Sequence, residues 1–293
     1  MESDEALGGW LSWNPTTGCD RLSDGCANCY ALDIAANMKR RGSPKYQVDG
    51  DPRTSGPGFG LALHPSALDI PLRRKKPSRY FVNSMSDLFH ARVPPDFIAQ
   101  VFRRMAAADQ HTYMVITKRT RRMAKILADP AFVASVIGDR LDRWPLPNLW
   151  VGVSIESSKY VWRADVLRAT PAAVRFISAE PLLGYLDGLD LSDVDWVSCG
   201  GETGPHARPA HPDWFRQLQA ACAASGTLFN LHSVGEWALS APGPGTQAVA
   251  VHHGVEHMRH IGRWEAGRAL DGQIYDQHPP MYRKQPDGFL QLF

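Results

Sequence analysis

Long apolar runs are missing from this sequence, and so is an excess of charge of either sign. No stretch is apolar over the roughly 18 residues that a bilayer-spanning helix needs, so a membrane partner is not expected. The formal net charge is +2, from 32 Lys and Arg against 30 Asp and Glu. Bulk charge therefore selects neither nucleic acid nor a membrane surface; only local patches can. Cysteine is scarce, five in 293 residues. A low and odd count is no disulfide scaffold and implies a reducing, cytoplasmic setting. The opening MESDEALGGW lacks the basic-then-apolar pattern of a signal peptide. There is no internal repeat of short fixed period. Disorder is excluded too, since 44% hydrophobic and 10% aromatic residues suffice for one substantial core.

What is present is ordered along the chain. Short runs rich in Val, Ile, Phe and Trp recur: an early one at Trp10–Trp13, then Tyr80–Ser84, Tyr113–Thr117, Leu149–Ser154, Val174–Ala179, Trp196–Cys199 and Thr227–Leu231. Near-continuous apolar runs suit parallel strands buried on both faces. Helical patterns lie between them. Pro95–Ala108 places Phe97, Val101 and Met105 four residues apart, which gives one apolar face. Thr120–Ala128, Tyr160–Ala169 and Pro212–Ala224 read the same way. This alternation predicts an α/β fold: a complete or partial parallel β/α (TIM-like) barrel, with a doubly wound open sheet as its competitor. The barrel is expected over residues 1–240. The Gly- and Pro-rich stretch Arg40–Pro71 interrupts it as a long loop or lid, at about 40–71. Residues 241–293 read as an irregular C-terminal extension, with a hairpin across Ile261–Tyr275.

Three of the five cysteines fall within eleven residues. Cys19, Cys26 and Cys29 are spaced C-x6-C-x2-C in NPTTGCDRLSDGCANCY. Gly18, Gly25 and Asn28 mark a tight loop there. Soft thiolates select zinc, Cu(I) or an iron–sulfur cluster. Structural zinc normally takes four protein ligands, so a zinc site requires a remote partner, Cys199, Cys222 or a His. A 4Fe–4S cluster on three cysteines leaves one iron open to an external ligand. Tyr30 and a helical pattern, ALDIAANMKR, follow the third cysteine. The positive end of that helix dipole points at the thiolates.

Strand, three-cysteine loop, aromatic residue, helix and repeating βα units together resemble a radical S-adenosylmethionine (SAM) enzyme. The usual spacing in that superfamily is C-x3-C-x2-C; this chain keeps the second half and lengthens the first gap. NSMSDLFH at Asn83–His90, ITKR at Ile116–Arg119 and VGVSIES at Val151–Ser157 resemble strand ends of the spore-photoproduct-lyase-like branch. WNPTTGC, GCANCYA, NSMSDLFH, TKR, GVSIE, AEPLLG and GGETGPHARP occur in order. They resemble the three-Cys-motif phage and prophage proteins, a family of unassigned function, over roughly Trp13 to Trp214. The resemblance implies that Cys19, Cys26 and Cys29 ligate a 4Fe–4S cluster whose open iron binds SAM. Barrel chemistry sits at the C-terminal strand ends. There the resemblance puts Ser84, Ser86 and Asp87 near the SAM amino group, Lys118 near its carboxylate, and Ser154 and Glu156 near the ribose. Glu202 in GGETG is expected at the barrel mouth or on the substrate. Cys199 is a core residue, or a hydrogen-atom donor if it faces the barrel interior.

Plainer readings stand beside these. Asp87 fits a helix cap as well, and Lys118 opens the basic run KRTRR, which fits a solvated face. His206 and Arg208 fit either an anionic substrate group or a surface loop. Trp10, Trp13, Trp150, Trp162, Trp196 and Trp214 default to core. Histidines are numerous in the tail, at His232, His252, His253, His257 and His260, and His253–His257 is the one spacing that suggests a second metal. Basic runs at Lys39–Arg41, Arg73–Lys76 and Lys118–Arg122 suit phosphate. With the resemblance they imply a nucleic-acid or nucleotide substrate, and SAM cleavage implies an electron donor such as a reductase, flavodoxin or ferredoxin. The alternative from another class is a zinc-stabilised, non-catalytic nucleic-acid-binding protein. A third reading is an iron–sulfur protein that binds SAM for a different reaction.

Overall fold

The computed structural model describes residues 9–281. The segment read against a signal peptide lies almost wholly outside these residues, as does the end of the C-terminal extension. In chain order the strands are β1 (Trp10–Trp13), β2 (Thr16–Thr17), β3 (Ala62–Leu63), β4 (Arg79–Val82), β5 (Thr112–Thr117) and β6 (Leu149–Ser154). They continue with β7 (Val174–Ala179), β8 (Trp196–Gly200), β9 (Leu228–Ser233), β10 (Trp237–Ser240), β11 (Thr246–Val251) and β12 (Gly254–His260). The helices are α1 (Tyr30–Arg40), α2 (Ile70–Arg73), α3 (Pro95–Ala107), α4 (Thr120–Leu127), α5 (Pro130–Ile137), α6 (Trp162–Arg168), α7 (Pro212–Ser225) and α8 (Arg263–Ala266).

Seven strands pair in the order β1-β4-β5-β6-β7-β8-β9, every pair parallel. The order never reverses. Right-handed crossovers then place each connection on the same side, and the sheet curls into a half-barrel. The expected β/α barrel is therefore the partial form, and the doubly wound sheet, which needs a reversal, is excluded.

Alternation along the strands separates two apolar layers. Tyr80, Val82, Tyr113, Val115, Val151, Ile177, Val197 and Phe229 belong to the main core with α3 to α7. The opposite face carries a separate cluster of Trp10, Trp150, Phe176 and Trp196, flanked by Phe81, Met114 and Ile116. Every residue of β6 is buried, as a strand covered on both faces requires. At Gly152 a side chain would collide with the Phe176 ring, so the glycine lets that ring lie across the sheet. Phe97, Val101 and Met105 of α3 are buried together, as their spacing predicts. α5 is a helix the periodicity did not single out. It is set by local signals instead: Asp129 accepts the Ala131 N–H as N-cap, and Pro130 opens the first turn.

The Arg40–Pro71 stretch folds back on the cysteine loop. Tyr46 and Phe59 pack with Ala31 and Ala35 of α1 and with Met85. A small antiparallel sheet, β10-β12-β11, joins the last strand before residue 241 to two strands of the C-terminal extension. Its hairpin is β11–β12; within Ile261–Tyr275 only a bridge between Leu270 and Gln273 forms. Beyond it the chain runs along the free edge of β9. The Leu231 N–H donates to the Tyr275 carbonyl at 3.0 Å, and the Gln277 N–H donates to the Phe229 carbonyl at 3.2 Å. That segment covers an edge that would otherwise expose unpaired backbone groups. Among the described residues no helix is long and apolar enough to cross a membrane.

Candidate functional site

The cysteine loop leaves β1 at Trp13 and lies over the C-terminal ends of the neighbouring strands. Gly18 anchors it: its N–H donates to the Met85 carbonyl at 3.0 Å. Its φ of +85° and the abutting Gly60 carbonyl exclude a side chain. The Cys19 N–H donates to the Phe59 carbonyl at 3.3 Å. A 3-10 turn at Asp24–Cys26 follows, and Cys29 occupies the N-cap position of α1. The thiol of Cys29 thus sits at the positive end of that helix. All five cysteines are free, Cys19, Cys26 and Cys29 partly exposed and Cys199 and Cys222 buried.

The three loop cysteines line one small cavity together with Ser84, Ser86, Asp87, Lys118, Arg119 and Ser154. Sequence reasoning therefore chose residues that the fold does bring together. The details differ by residue. The Ser84 hydroxyl hydrogen-bonds Ser12 at 2.5 Å, and Ser86 hydrogen-bonds Thr16 at 2.8 Å, so Ser84 is tied to β1 and Ser86 to β2. Asp87 is engaged on every side. It accepts from the Thr117 hydroxyl at 2.7 and 2.8 Å, from the Arg119 guanidinium at 2.9 Å and from the Phe89 N–H at 2.9 Å. It therefore organises the turn after β5.

Glu156 is set deeper than the other predicted residues. It is fully buried and lines neither the cysteine cavity nor its neighbour. Its carboxylate sits beneath the loop, with Lys118 Nζ at 3.2 Å and Arg163 at 3.0 Å, and it accepts from the Ser23 hydroxyl. A side chain at Gly25 would meet the Glu156 Cγ at 2.7 Å, so glycine is what lets the loop settle onto this ion pair. Glu156 thus sits as a prop under the cysteine loop, held by Lys118 and Arg163. Burial opposes the charge on Lys118, but Glu156 and the thiols of Cys26 and Cys29 outweigh it and hold its pKa above the ordinary lysine value. KRTRR is accordingly no solvated face at its start: Lys118 and Arg119 both point inward.

Arg119 was quoted within ITKR but given no role. Its guanidinium donates to the Cys19 sulfur at 3.3 Å and to the Asp20 carbonyl at 3.1 Å, while Asp87 holds it in place. Burial, reinforced by Asp87, pushes the Cys19 thiol up to about 12, against the pull of Arg119. Burial likewise raises Cys29. Metal binding at these thiols must therefore release protons.

A second, larger cavity of about 910 Å³ opens along the concave face of the sheet. It adjoins the first, and Cys29 and Ser84 line both. Trp10, Phe176 and Trp196 form its floor; Arg79, Glu180, Glu202, Arg263, Arg268 and His278 contribute polar groups. These tryptophans are buried, as expected of core residues, in the cluster on the concave face that borders this space. Glu202 lines this cavity and is already paired: Arg208 approaches at 2.5 Å and Asn28 donates at 2.9 Å. Burial works against the Glu202 charge, but these donors prevail and keep its pKa low. The Arg208 guanidinium also donates to the Asp24 carbonyl at 3.0 Å, so the GGETGPHAR segment clamps the cysteine loop. The His206 carbonyl joins the clamp by accepting from Asn28 at 2.8 Å.

Cys199 is placed elsewhere. It belongs to the main core on the helix side of β8, where burial drives its thiol far above the ordinary value and Glu180 and Cys222 add to the shift. Strand alternation is the reason: Trp196, Ser198 and Gly200 take the concave face, so Cys199 cannot. The expected hydrogen-donor role loses its geometric condition.

Three soft thiol donors around one cavity are a donor set that fits a soft metal ion or an iron–sulfur cluster.

Fold and site together define a half-barrel protein with a three-thiol loop at the open end of its strands. The chain belongs to the family described as "Protein of unknown function (DUF5131)", whose model matches residues 10–279. No curated protein matches it. Among solved structures, a cysteine-to-serine mutant of spore photoproduct lyase aligns at 13% identity and a TM-score of 0.41, covering 87% of this chain and 69% of its own. Spore photoproduct lyase complexed with dinucleoside spore photoproduct aligns at 12% identity and a TM-score of 0.37, covering 84% and 66%. A double mutant of it with bound AdoMet and the same dinucleoside aligns at 12% and 0.36, covering 85% and 68%. This chain thus spans about two thirds of those proteins.

Proposed function

We propose that this protein is a radical SAM enzyme, with Cys19, Cys26 and Cys29 holding a 4Fe–4S cluster and the concave cavity holding the substrate. The observation that carries the reading is the continuity of the two cavities: Cys29 and Ser84 line both the thiol pocket and the 910 Å³ space beside it. When bound, the cluster would pass one electron to SAM, giving methionine and a 5′-deoxyadenosyl radical that takes a hydrogen atom from the substrate. The chain's own groups position and shield that chemistry. The Ser84, Ser86 and Ser154 hydroxyls and the Lys118 ammonium line the pocket and offer polar contacts to SAM. Glu156, Arg163 and Asp87 hold those groups and the loop in place. Arg119 donates to the Cys19 sulfur, which favours its anionic, metal-binding form.

A nucleotide or nucleic-acid substrate is the class we favour. Arg79, Arg263, Arg268 and His278 line the concave cavity beside its aromatic floor, and such a set of cations suits phosphate. The electron would come from a flavodoxin, ferredoxin or reductase in a cytoplasmic setting. The test is product analysis under anaerobic conditions with SAM and a strong reductant. Formation of 5′-deoxyadenosine is expected; its absence from protein carrying a full cluster would refute the radical route and leave the other uses of SAM.

A further inference from the structure

Away from the cysteines, four groups from distant parts of the chain converge where the C-terminal sheet meets the half-barrel. Asp213 lies in the first turn of α7, His253 in the tight turn between β11 and β12, and Glu256 on β12. His211 is the N-cap of α7. The His253 Nε2 is 3.4 Å from a Glu256 oxygen and 3.6 Å from an Asp213 oxygen. One ligand atom from each of Asp213, His253 and Glu256 lies within 4.8 Å of the other two. An ion held at about 2.0–2.1 Å by nitrogen and oxygen ligands sets tetrahedral ligand atoms roughly 3.3 Å apart, close to these separations. The sequence-level pairing of His253 with His257 is not what forms: His257 approaches Thr246 at 3.3 Å.

The surroundings orient the donors. His211 is 1% exposed, and its Nδ1 accepts the Asp213 N–H at 3.2 Å. The proton of the neutral ring is therefore on Nε2, which donates to Glu256 Oε2 at 3.3 Å. That leaves Glu256 Oε1 turned toward His253. Asp213 is divided in the same way, with Oδ1 taken by Arg216 at 2.5 Å and Oδ2 facing His253. Each carboxylate thus has one oxygen fixed by a donor and one aimed at a common point, as metal-binding carboxylates have. Two carboxylates this close repel unless a cation lies between them.

We propose that Asp213, His253 and Glu256 bind a divalent transition-metal ion of the zinc type, with water as the remaining ligand. One imidazole and two carboxylates suit such an ion. It would staple the β11–β12 hairpin to α7, beside the stacking of His252 on Tyr185 at 3.7 Å. The proposal stands apart from the cysteine site.

The test titrates chelator-treated, dialysed protein with Zn²⁺ by calorimetry, in wild type, His253→Ala, Glu256→Gln and His257→Ala. His253 is an exposed turn residue (66%), so its replacement should fold, and Glu256→Gln provides an independent variant. Wild type and His257→Ala should bind one equivalent more than the other two. Equal stoichiometry in all four would overturn the proposal. Repeating the titration with Co²⁺ separates the two sites. The wild-type minus His253→Ala spectrum should lack thiolate-to-cobalt charge transfer; its presence would put the additional ion at the cysteines and overturn the proposal as well.

Discussion

Replacing Glu156 by Gln separates its two readings. As a ribose contact, the carboxylate would matter only when SAM is bound, and the variant would fold as wild type does. The structure instead has Glu156 fully buried between Lys118, 19% exposed, and Arg163, 2% exposed. Arg163 also lies over the Tyr160 ring at 4.2 Å and donates to the Ser154 carbonyl at 2.6 Å. The Gln side chain keeps the shape and leaves two inward-facing cations without their counter-charge. Removing one partner of a buried pair costs about 3–5 kcal/mol. At roughly 2–4 °C per kcal/mol for a chain of this size class, the melting midpoint should fall by about 6–20 °C. The assay is denaturant and thermal unfolding of the metal-free protein, wild type against Glu156→Gln. Replacing Lys118 by Met in the same background should recover part of the loss, because one stranded charge is then removed. A metal-free Glu156→Gln protein within about 1 kcal/mol of wild type would refute the assignment of Glu156 as a prop.

Other outcomes follow from the same packing. Gly25→Ala forces a methyl against the pinned Glu156 side chain; overpacking of this kind costs about 1–3 kcal/mol, and iron uptake should drop with it, so full iron uptake would argue against the loop geometry. Cys199→Ala removes a core thiol on the helix side of β8 and should cost about 1 kcal/mol, as one buried methylene does. Its iron content and SAM cleavage should stay at wild-type levels, and loss of cleavage with the cluster intact would return Cys199 to the active site. His111 is fully buried, accepts the Ser78 N–H at 3.2 Å and reaches the Pro71 carbonyl at 3.0 Å. Burial lowers its pKa, so the neutral ring stabilises the fold above the unfolded histidine value near 6.5. That contribution is lost as pH falls through the lower folded value. His111→Gln should therefore show a shallower stability loss between neutral and acid pH in urea titrations; an unchanged slope would contradict this.

The strands were legible because they are buried on both faces, so Leu149–Ser154 and Val174–Ala179 read as apolar runs with no alternation to interpret. The same feature hid which face each residue takes. Cys199 looked available to the interior because a run without alternation carries no facing signal; pairing with its neighbours settles that Ser198 faces inward. The three cysteines and the polar strand ends were legible from loop chemistry. The roles of Arg163 and Asn28 were not: Arg163 lies far along the chain from the loop, and Asn28, inside the loop, meets partners that do. Arg163 sits on the buried side of α6 and Asn28 meets Glu202 across the loop contact. Arg119 was visible in ITKR, but a basic run ordinarily reads as solvated surface. In the extension, short alternating strands broken by APGPG gave too weak a period to show β10, β11 and β12.

The central claim rests on what the three thiols hold. The direct measurement is metal content and absorption of anaerobically purified and reconstituted protein, beside Cys26→Ala. The proposed function predicts a brown protein with about four irons per chain, and loss of that cluster in the variant. One tightly held zinc with no iron at the cysteines, or a full cluster retained by Cys26→Ala, would contradict it.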